Sequence, residues 1–126
     1  MSYIKQNNPF VVPTTGGKLI EEHFGLATTY DQHISIAHKI APQGWSEPFQ
    51  NPGFNEYTLV SKGRKLLEVD GKKVEVSAGQ SILIKKNSRV RYSNPFNEAS
   101  EYWSVCMPAF SLETAKKRST LILTIR

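Results

Sequence analysis

Short segments with a hydrophobic period of two, separated by Gly, Pro and Asn turn signals, constrain the fold of this sequence more than any other feature. The clearest signal is Asp70-Gly71, which joins two alternating segments at residues 64–69 and 72–76. A type I′ turn needs positive φ at both central residues, and Asp-Gly is among the few dipeptides that accept this. The pattern therefore predicts a tight β-hairpin in the middle of a sandwich or barrel of short strands.

The same alternation predicts further strands on either side of this hairpin. Pro, Gly and Asn mark where these strands end. In chain order they span residues 18–24, 33–41, 56–61, 81–85, 89–93 and 101–107. Only residues 111–118 favour a helix, and that helix would be short. The predicted fold class is therefore all-β, a β-barrel with at most one short helix.

Length and composition indicate one globular domain. With 126 residues and 39% hydrophobic side chains, the chain can bury a core without disulfides or a metal ion. Cys106 is the only cysteine, so no disulfide can form within the chain. No apolar stretch has the length of a signal-peptide core or of a transmembrane helix, so we expect a cytoplasmic protein with no membrane partner. The domain would span residues 1–126, with its barrel core at about 18–110.

The formal net charge of +5 at pH 7 raises the question of a nucleic-acid partner. Nucleic-acid-binding proteins concentrate basic side chains on one face and interleave them with aromatic residues. Here the basic residues are scattered among predicted strand ends and turns, where Lys also protects sheet edges from aggregation. We therefore expect no nucleic-acid partner, while a preference for a small anionic molecule stays open.

The C-terminal segment, residues 119–126, is apolar and β-prone and carries only one charged side chain. Such a segment is prone to aggregation if it is left uncovered. It can pair with the first strands of its own barrel, or it can add to the sheet of a second copy. We therefore expect residues 111–126 to act as a covering or dimer strand and the protein to form a homodimer.

Two spaced motifs, one on each side of the Asp70-Gly71 hairpin, carry a resemblance to a known superfamily. The first motif has its marked positions at Gly44, Gln50, Pro52, Glu56 and Gly63. The second has them at Gly79, Asn87, Val90 and Asn94. Every spacing matches the two sequence motifs of the cupins, so the chain resembles a small single-domain cupin. The resemblance implies an RmlC-like jelly-roll β-barrel.

The resemblance also implies where a metal ion would bind, and there the sequence departs from the family. In metal-binding cupins, two histidines and a glutamate of the first motif and a histidine of the second hold a divalent ion. The matching positions are Gln50, Pro52, Glu56 and Val90, of which only Glu56 is a normal ligand. We expect no metal and no cofactor here; ligation by His38 and Glu56 with water is the alternative. The strings PGFNEYTLVSKG and EYWSVCMPAF resemble metal-poor cupins of ethanolamine-utilisation operons.

Glu56 is the strongest candidate for chemistry, because its strand pattern places it inside the barrel. A buried carboxylate must pair, bind a ligand or change its pKa. Tyr92 shares strand parity with Val90 and should point inward, so it and Gln50 are the expected partners of Glu56. His38 is a third candidate for acid–base chemistry if it faces inward, and a structural or surface histidine if it does not.

Contacts to a ligand are expected from three further positions. These are Gln50, Glu47 in the loop before the first motif, and Trp103 on the last strand. Glu47 would otherwise be a solvated loop acid, and Trp103 would otherwise pack as a strand aromatic. Ile36 and Val60 would form walls of the cavity.

Three functions are open from the sequence. The first is a cupin that binds a small molecule in the barrel interior and has a degenerate metal site. The second is an enzyme, a lyase, isomerase or epimerase acting on a small carbonyl or carboxylate compound through Glu56, Tyr92 or His38. The third is a structural or regulatory dimer. A pocket of converging polar groups would favour the binding protein or the enzyme over the structural dimer. An acid and a base within hydrogen-bond reach of each other would favour the enzyme over the binding protein.

Overall fold

The computed structural model describes residues 2–111, and these residues form antiparallel β-strands. The strands described are β1 (Phe10–Val11), β2 (Leu19–Phe24), β3 (Ser35–Ala41), β4 (Asn55–Lys62), β5 (Arg64–Val69), β6 (Lys72–Ser77), β7 (Ser81–Ile84), β8 (Val90–Ser93) and β9 (Ser100–Met107). Within residues 2–111 there is no helix that could cross a membrane. The predicted all-β fold class is confirmed.

Two sequence-based expectations lie at the ends of the chain. The two-residue strand β1 is not predicted, because two residues give no alternation to detect. The short helix predicted at 111–118 and the predicted C-terminal strand fall, beyond Ser111, outside the described residues.

Two sheets form the walls of the barrel. The larger sheet has the order β1-β2-β3-β9-β4-β7 and the smaller has the order β6-β5-β8. One hydrophobic core cluster contains residues of both sheets. Val60 and Tyr102 belong to the larger sheet, and Leu67, Val90 and Tyr92 belong to the smaller sheet. The two sheets therefore face each other across a shared interior.

Strand alternation decides which side chains enter this interior. Along β3 and β9, every second residue is buried. Antiparallel pairing aligns these inward positions across the sheet: Lys39 of β3 lies opposite Tyr102 of β9. Tyr102 in turn lies opposite Val60 of β4. Inward residues from distant parts of the sequence are thereby brought into one layer.

The central hairpin forms as predicted, with β5 paired to β6 and φ values of 47° at Asp70 and 85° at Gly71. Gly63, between β4 and β5, also has a positive φ of 72°. A Cβ atom at Gly63 would lie 2.6 Å from the carbonyl oxygen of Ala99. Both the φ angle and the close backbone approach therefore require glycine at this turn.

The loop between β3 and β4 adds to the edge of the smaller sheet, beside β8. The Gln50 N–H donates to the Val90 carbonyl (2.9 Å), and the Val90 N–H donates to the Gln50 carbonyl (2.8 Å). A second bridge joins Ser46 to Ser93. These backbone contacts hold the first sequence motif against the second. They also bury Glu47 and Gln50 at the interior.

Candidate functional site

The barrel interior contains more ionisable side chains than a packed core normally holds. Five of them form a group in which Lys18 is within electrostatic reach of the other four, and each is at most 6% exposed: Lys18, Lys39, Lys65, Glu47 and Glu56. Lysine and glutamate are almost never fully buried unless they are paired. We refer to these five residues as the interior charge cluster.

Glu56 is held between two buried partners. Alternation along β4 points it inward, as predicted, and it is 2% exposed. The Tyr92 hydroxyl donates a hydrogen bond to Glu56 Oε1 (2.8 Å), which is the pairing expected from strand parity. Lys39 Nζ lies 3.6 Å from Glu56 Oε2. One carboxylate oxygen therefore faces a phenol donor and the other faces an ammonium group.

Lys65 and Lys18 lie against the faces of aromatic rings. Lys65 Nζ is 4.0 Å from the centre of the Tyr92 ring and 3.7 Å from that of Tyr102. Lys18 Nζ is 3.9 Å from the centre of the Trp45 ring and 5.6 Å from that of Tyr102. The negative face of an aromatic ring attracts an ammonium group, more strongly where water is excluded. Two lysines therefore lie near the Tyr102 ring.

Burial lowers the pKa of Lys18 well below its ordinary value of 10.5, and the neighbouring charge of Lys39 lowers it further. Lys65 acts in the same direction, while the carboxylates of Glu47 and Glu56 act to raise the pKa. Within the part of the chain that the structure describes, Lys18 Nζ has no hydrogen-bond partner. Its neutral amine form is therefore populated at lower pH than in an exposed lysine.

Hydroxyl groups complete the polar lining. The side-chain oxygens of Thr58 and Ser104 are buried and have no hydrogen-bond partner among residues 2–111. A narrow cavity of about 20 Å³ lies beside Lys39, Ser104 and Glu22, with room for about one water molecule. Burial raises the pKa of Glu22, and its carboxyl group accepts a hydrogen bond from the Ala27 N–H (2.9 Å). Glu22 is thus engaged by the turn that follows β2.

His38 does not face the interior, which corrects the role considered for it. It lies on the outer side of β3, where Nδ1 is 2.9 Å from Glu21 Oε1 and Nε2 is 2.6 Å from Glu101 Oε2. Burial acts to lower the pKa of His38, but the two carboxylates together raise it above its usual value. His33 precedes β3 and is exposed, so the two histidines do not share a strand.

Trp103 also lies outside the barrel, contrary to its expected ligand contact. It is 37% exposed and pairs across the sheet with His38, whose ring centre is 5.1 Å from its own. The inward aromatic of β9 is Tyr102, which is fully buried. Ile36 lies on the outer side of β3 as well, so Val60 is the one of the two expected wall residues that lines the interior.

The residues at the metal position of the cupin motif do not fit a metal ion. Pro52 and Val90 have no side-chain donor atom, and Gln50 offers an amide. Across residues 2–111, no three side chains of His, Cys, Asp or Glu converge in a way that could hold an ion. The cation beside Glu56 is instead the ammonium group of Lys39.

Sequence reasoning missed all three interior lysines. A lysine on a strand is normally exposed, so Lys18, Lys39 and Lys65 are easily taken for surface residues. A signal was present for Lys39, because it shares strand parity with Ala37 and Ala41, two small residues typical of a crowded interior.

One curated relative shares extensive sequence with this chain. Endoribonuclease YbeY of Myxococcus xanthus (strain DK1622) is 44% identical over 105 residues. The matched segment covers 83% of this chain and 36% of the relative. The chain thus spans about a third of the length of the curated relative that it matches.

Solved structures share the fold at low sequence identity. A Streptomyces PAC13 variant with uridine has a TM-score of 0.72 at 16% identity, covering 90% of this chain and 88% of that chain. An RmlC-like cupin from Shewanella frigidimarina NCIMB 400 has a TM-score of 0.70 at 14% identity, covering 86% and 92%. The Clostridium difficile EutQ protein has a TM-score of 0.62 at 20% identity, covering 76% and 67%. The expected jelly-roll barrel is therefore confirmed.

The sequence also matches a family model directly. The model is Cupin_2, described as Cupin domain, and the match spans residues 37–106, more than half of the chain. The matched region runs from β3 to β9 and includes Lys39, Glu56, Lys65 and Tyr92. This chain therefore belongs to the cupin family.

Proposed function

We propose that this cupin binds a small anionic molecule, a carboxylate or a phosphate, at the interior charge cluster of its barrel. The proposal rests on one observation: three lysines, Lys18, Lys39 and Lys65, are buried together with two glutamates. The effective cost of burying one ion is several kcal/mol unless an opposite charge compensates it. An anionic ligand would supply negative charge that offsets the excess of buried lysines over buried glutamates.

The electrostatics of Lys18 support an anion at this position. The charges of Lys39 and Lys65 are among the causes of its lowered pKa. A negative charge near the three Nζ atoms would reduce this repulsion. Lysine also suits the task chemically, because its ammonium group donates up to three hydrogen bonds to carboxylate or phosphate oxygens.

The position of Lys39 supports the same proposal. In metal-binding cupins the glutamate of the first motif faces a divalent ion, and in this chain Glu56 faces an ammonium group 3.6 Å away. A fixed ammonium group can hold a carboxylate or phosphate as a metal ion does, although with less charge. The site would then keep the position of the cupin ligand pocket but recognise its ligand through lysines.

Thermal unfolding with matched acids and neutral analogues tests the proposal. Acetate, pyruvate and inorganic phosphate should raise the melting temperature of the wild-type protein, while acetamide, acetone and uridine should not. The increase should be lost in Lys65→Met and retained in Lys62→Met, since Lys62 is exposed on β4. Equal stabilisation by the neutral analogues, or an equal loss in Lys62→Met, would contradict an interior anion site.

A second candidate, the lyase, isomerase or epimerase, is favoured by the Tyr92–Glu56 hydrogen bond of 2.8 Å. A carboxylate and a phenol in contact can act as base and acid on a proton next to a carbonyl group. NMR in heavy water would detect exchange of the methyl protons of pyruvate. Exchange above background that is lost in folded Glu56→Gln would support catalysis. Exchange at the background rate would contradict catalysis and would support binding without a reaction.

The similarity to the Myxococcus xanthus endoribonuclease favours a regulatory variant of the same proposal. Because the match covers 36% of that protein, most of its length lies outside the shared segment. A ligand-binding cupin module beside a ribonuclease module is consistent with this proportion. Cleavage of a structured RNA by the isolated chain would contradict that division and assign the activity to the cupin barrel.

A further inference from the structure

Lys18, with a pKa lowered by burial, offers chemistry that anion binding alone does not use. We propose that Lys18 forms an imine with the carbonyl carbon of a small carbonyl acid, such as a 2-oxo acid, bound inside the barrel. This inference rests on the proposed anion site, because Lys39 or Lys65 would hold the carboxylate of the same ligand. It adds a substrate class, carbonyl acids, and a covalent step at a named atom.

The surroundings of Lys18 resemble those of a nucleophile more than those of an ion-pair partner. Its side chain is 3% exposed, and its Nζ has no hydrogen-bond partner among residues 2–111. The Trp45 ring, with its centre 3.9 Å away, covers one side of the amine. The nitrogen lone pair is therefore not engaged by a hydrogen bond in the described structure, as nucleophilic attack requires.

Every ionisable group that acts on Lys18 belongs to the interior charge cluster. Burial is the largest influence that lowers its pKa, followed by Lys39, with Lys65 acting in the same direction. Glu47 and Glu56 oppose these influences without reversing the outcome. Desolvation next to another cation is a known way in which proteins convert lysine into an imine-forming nucleophile.

The step balances without an oxidant, a reductant or a metal ion. The Lys18 Nζ lone pair forms a bond to the carbonyl carbon, and the carbonyl electron pair moves to oxygen. The two amine protons then leave with that oxygen as water, and a carbon–nitrogen double bond remains. One amine and one carbonyl group thus give one imine and one water molecule.

Trp45 marks the side from which a ligand would reach Lys18. Its indole lines an open cleft of about 280 Å³ together with Thr15, Gly16 and Ser46. Lys18 does not line this cleft, although its Nζ packs on the same indole ring. Trp45 therefore contacts both this cleft and Lys18 Nζ.

Reductive trapping at each lysine tests the inference. Folded wild-type protein is incubated with pyruvate and sodium cyanoborohydride near neutral pH, and peptide mass spectrometry measures carboxyethylation of every lysine. Lys18 should be modified much faster than the exposed Lys72 and Lys73, and this preference should disappear in denaturant. Modification of Lys18 no faster than of Lys72 would overturn the inference.

Propionaldehyde, which has a carbonyl group but no carboxylate, separates the nucleophile from the anion site. Lys39→Met should slow the labelling of Lys18 by propionaldehyde several-fold, because one repelling charge is removed. Lys65→Met provides the same test if Lys39→Met does not fold, and Lys62→Met should leave the rate unchanged. An unchanged rate in both folded interior variants would contradict the electrostatic explanation.

Two outcomes distinguish this inference from the proposed function. If pyruvate raises the melting temperature but Lys18 is not trapped selectively, the imine is wrong and the anion site stands. Suppose that propionaldehyde and pyruvate label Lys18 equally well in the presence of the reductant and that no acid stabilises the fold. Lys18 is then confirmed as a nucleophile, and the proposed anion site is wrong.

Discussion

Buried charges dominate the energetics of single residues in this barrel. Lys39 Nζ and Glu56 Oε2 are 3.6 Å apart, and both side chains are at most 7% exposed. Removing one member of such a pair leaves the other charge buried without compensation, which costs about 3–5 kcal/mol. Replacing both members by uncharged groups of similar shape is often close to neutral. Lys39 and Glu56 should therefore behave as a unit.

A double-mutant cycle measures this coupling. Lys39→Met and Glu56→Gln should each lower the free energy of unfolding, and the double variant should recover part of the combined loss. The expected coupling energy is about 0.5–3 kcal/mol, obtained from urea unfolding. Lys62→Met is the matched control, because this exposed lysine should change the free energy of unfolding little. Losses that simply add in the double variant would show that the two charges do not interact.

Lys18→Met should stabilise the protein near neutral pH by about 1 kcal/mol or more. The substitution replaces a buried amine by an apolar side chain of similar shape. The pKa of Lys18 is lower in the folded than in the unfolded chain, so the unfolded state binds more protons between the folded pKa and 10.5. Wild-type stability should therefore gain from Lys18 as the pH rises through this window. The difference in free energy of unfolding between Lys18→Met and the wild-type protein should therefore decrease as the pH rises.

Urea unfolding of both proteins at about pH 7 and about pH 10 checks this pH dependence. An advantage of Lys18→Met that is constant between the two values would mean that Lys18 has an ordinary pKa in the folded state.

The sequence predicted contacts between individual residues correctly where the alternation of inward and outward positions along a strand was enough to place both side chains. Glu56 and Tyr92 occupy inward positions of strands whose faces the motif spacing defines, and they do meet. The contact of Lys39 with Glu56 depends on the pairing of β3 with β9 and of β9 with β4, which is non-local. No local pattern in the sequence encodes that arrangement.

At the scale of strands, a one-residue change of parity moves a side chain to the opposite face. His38 and Trp103 are cross-strand neighbours on the outer face, and Lys39 and Tyr102 are the corresponding inward pair. The sequence placed strands correctly to within a few residues, but polar and aromatic residues occur on both faces of β3 and β9. Hydrophobicity alone therefore could not decide which face of these two strands is buried.

The turns allow a strand-scale prediction with a built-in control. Gly63→Ala and Gly71→Ala both place a Cβ at positive φ (72° and 85°), which costs about 1–2 kcal/mol. A Cβ at Gly71 meets nothing within 4 Å, whereas at Gly63 it lies 2.6 Å from the Ala99 carbonyl oxygen. Gly63→Ala should therefore lower the free energy of unfolding clearly more than Gly71→Ala. Equal losses in urea unfolding would contradict the close approach at Gly63.

At the scale of the whole molecule, the outer face of the larger sheet exposes a set of large apolar side chains. The set comprises Tyr57, Leu59, Leu83, Trp103 and Met107, each between 37% and 48% exposed. Apolar faces of this kind usually mark sites of association. The homodimer expected from the sequence remains a prediction, and this face is a second reason for it.

Deleting residues 119–126 should change the oligomeric state or the solubility, because the deletion removes the segment expected to cover a sheet edge. Leu59→Glu should weaken association independently if the outer sheet face takes part. Light scattering gives the mass of each protein, and thermal unfolding gives its stability. A truncated protein with the same mass and melting temperature as the full chain would contradict a dimer strand at the C-terminus.

The most direct test of the interior anion site observes the lysines themselves. NMR of protein with ¹⁵N-labelled lysine resolves the Nζ signals, and acetate or inorganic phosphate is added as the probe. Saturable shifts of the signals of Lys18, Lys39 and Lys65, with Lys72 and Lys73 unchanged, are the predicted result. Shifts confined to the exposed lysines, or no saturable shift with either anion, would contradict ligand binding by the interior charge cluster.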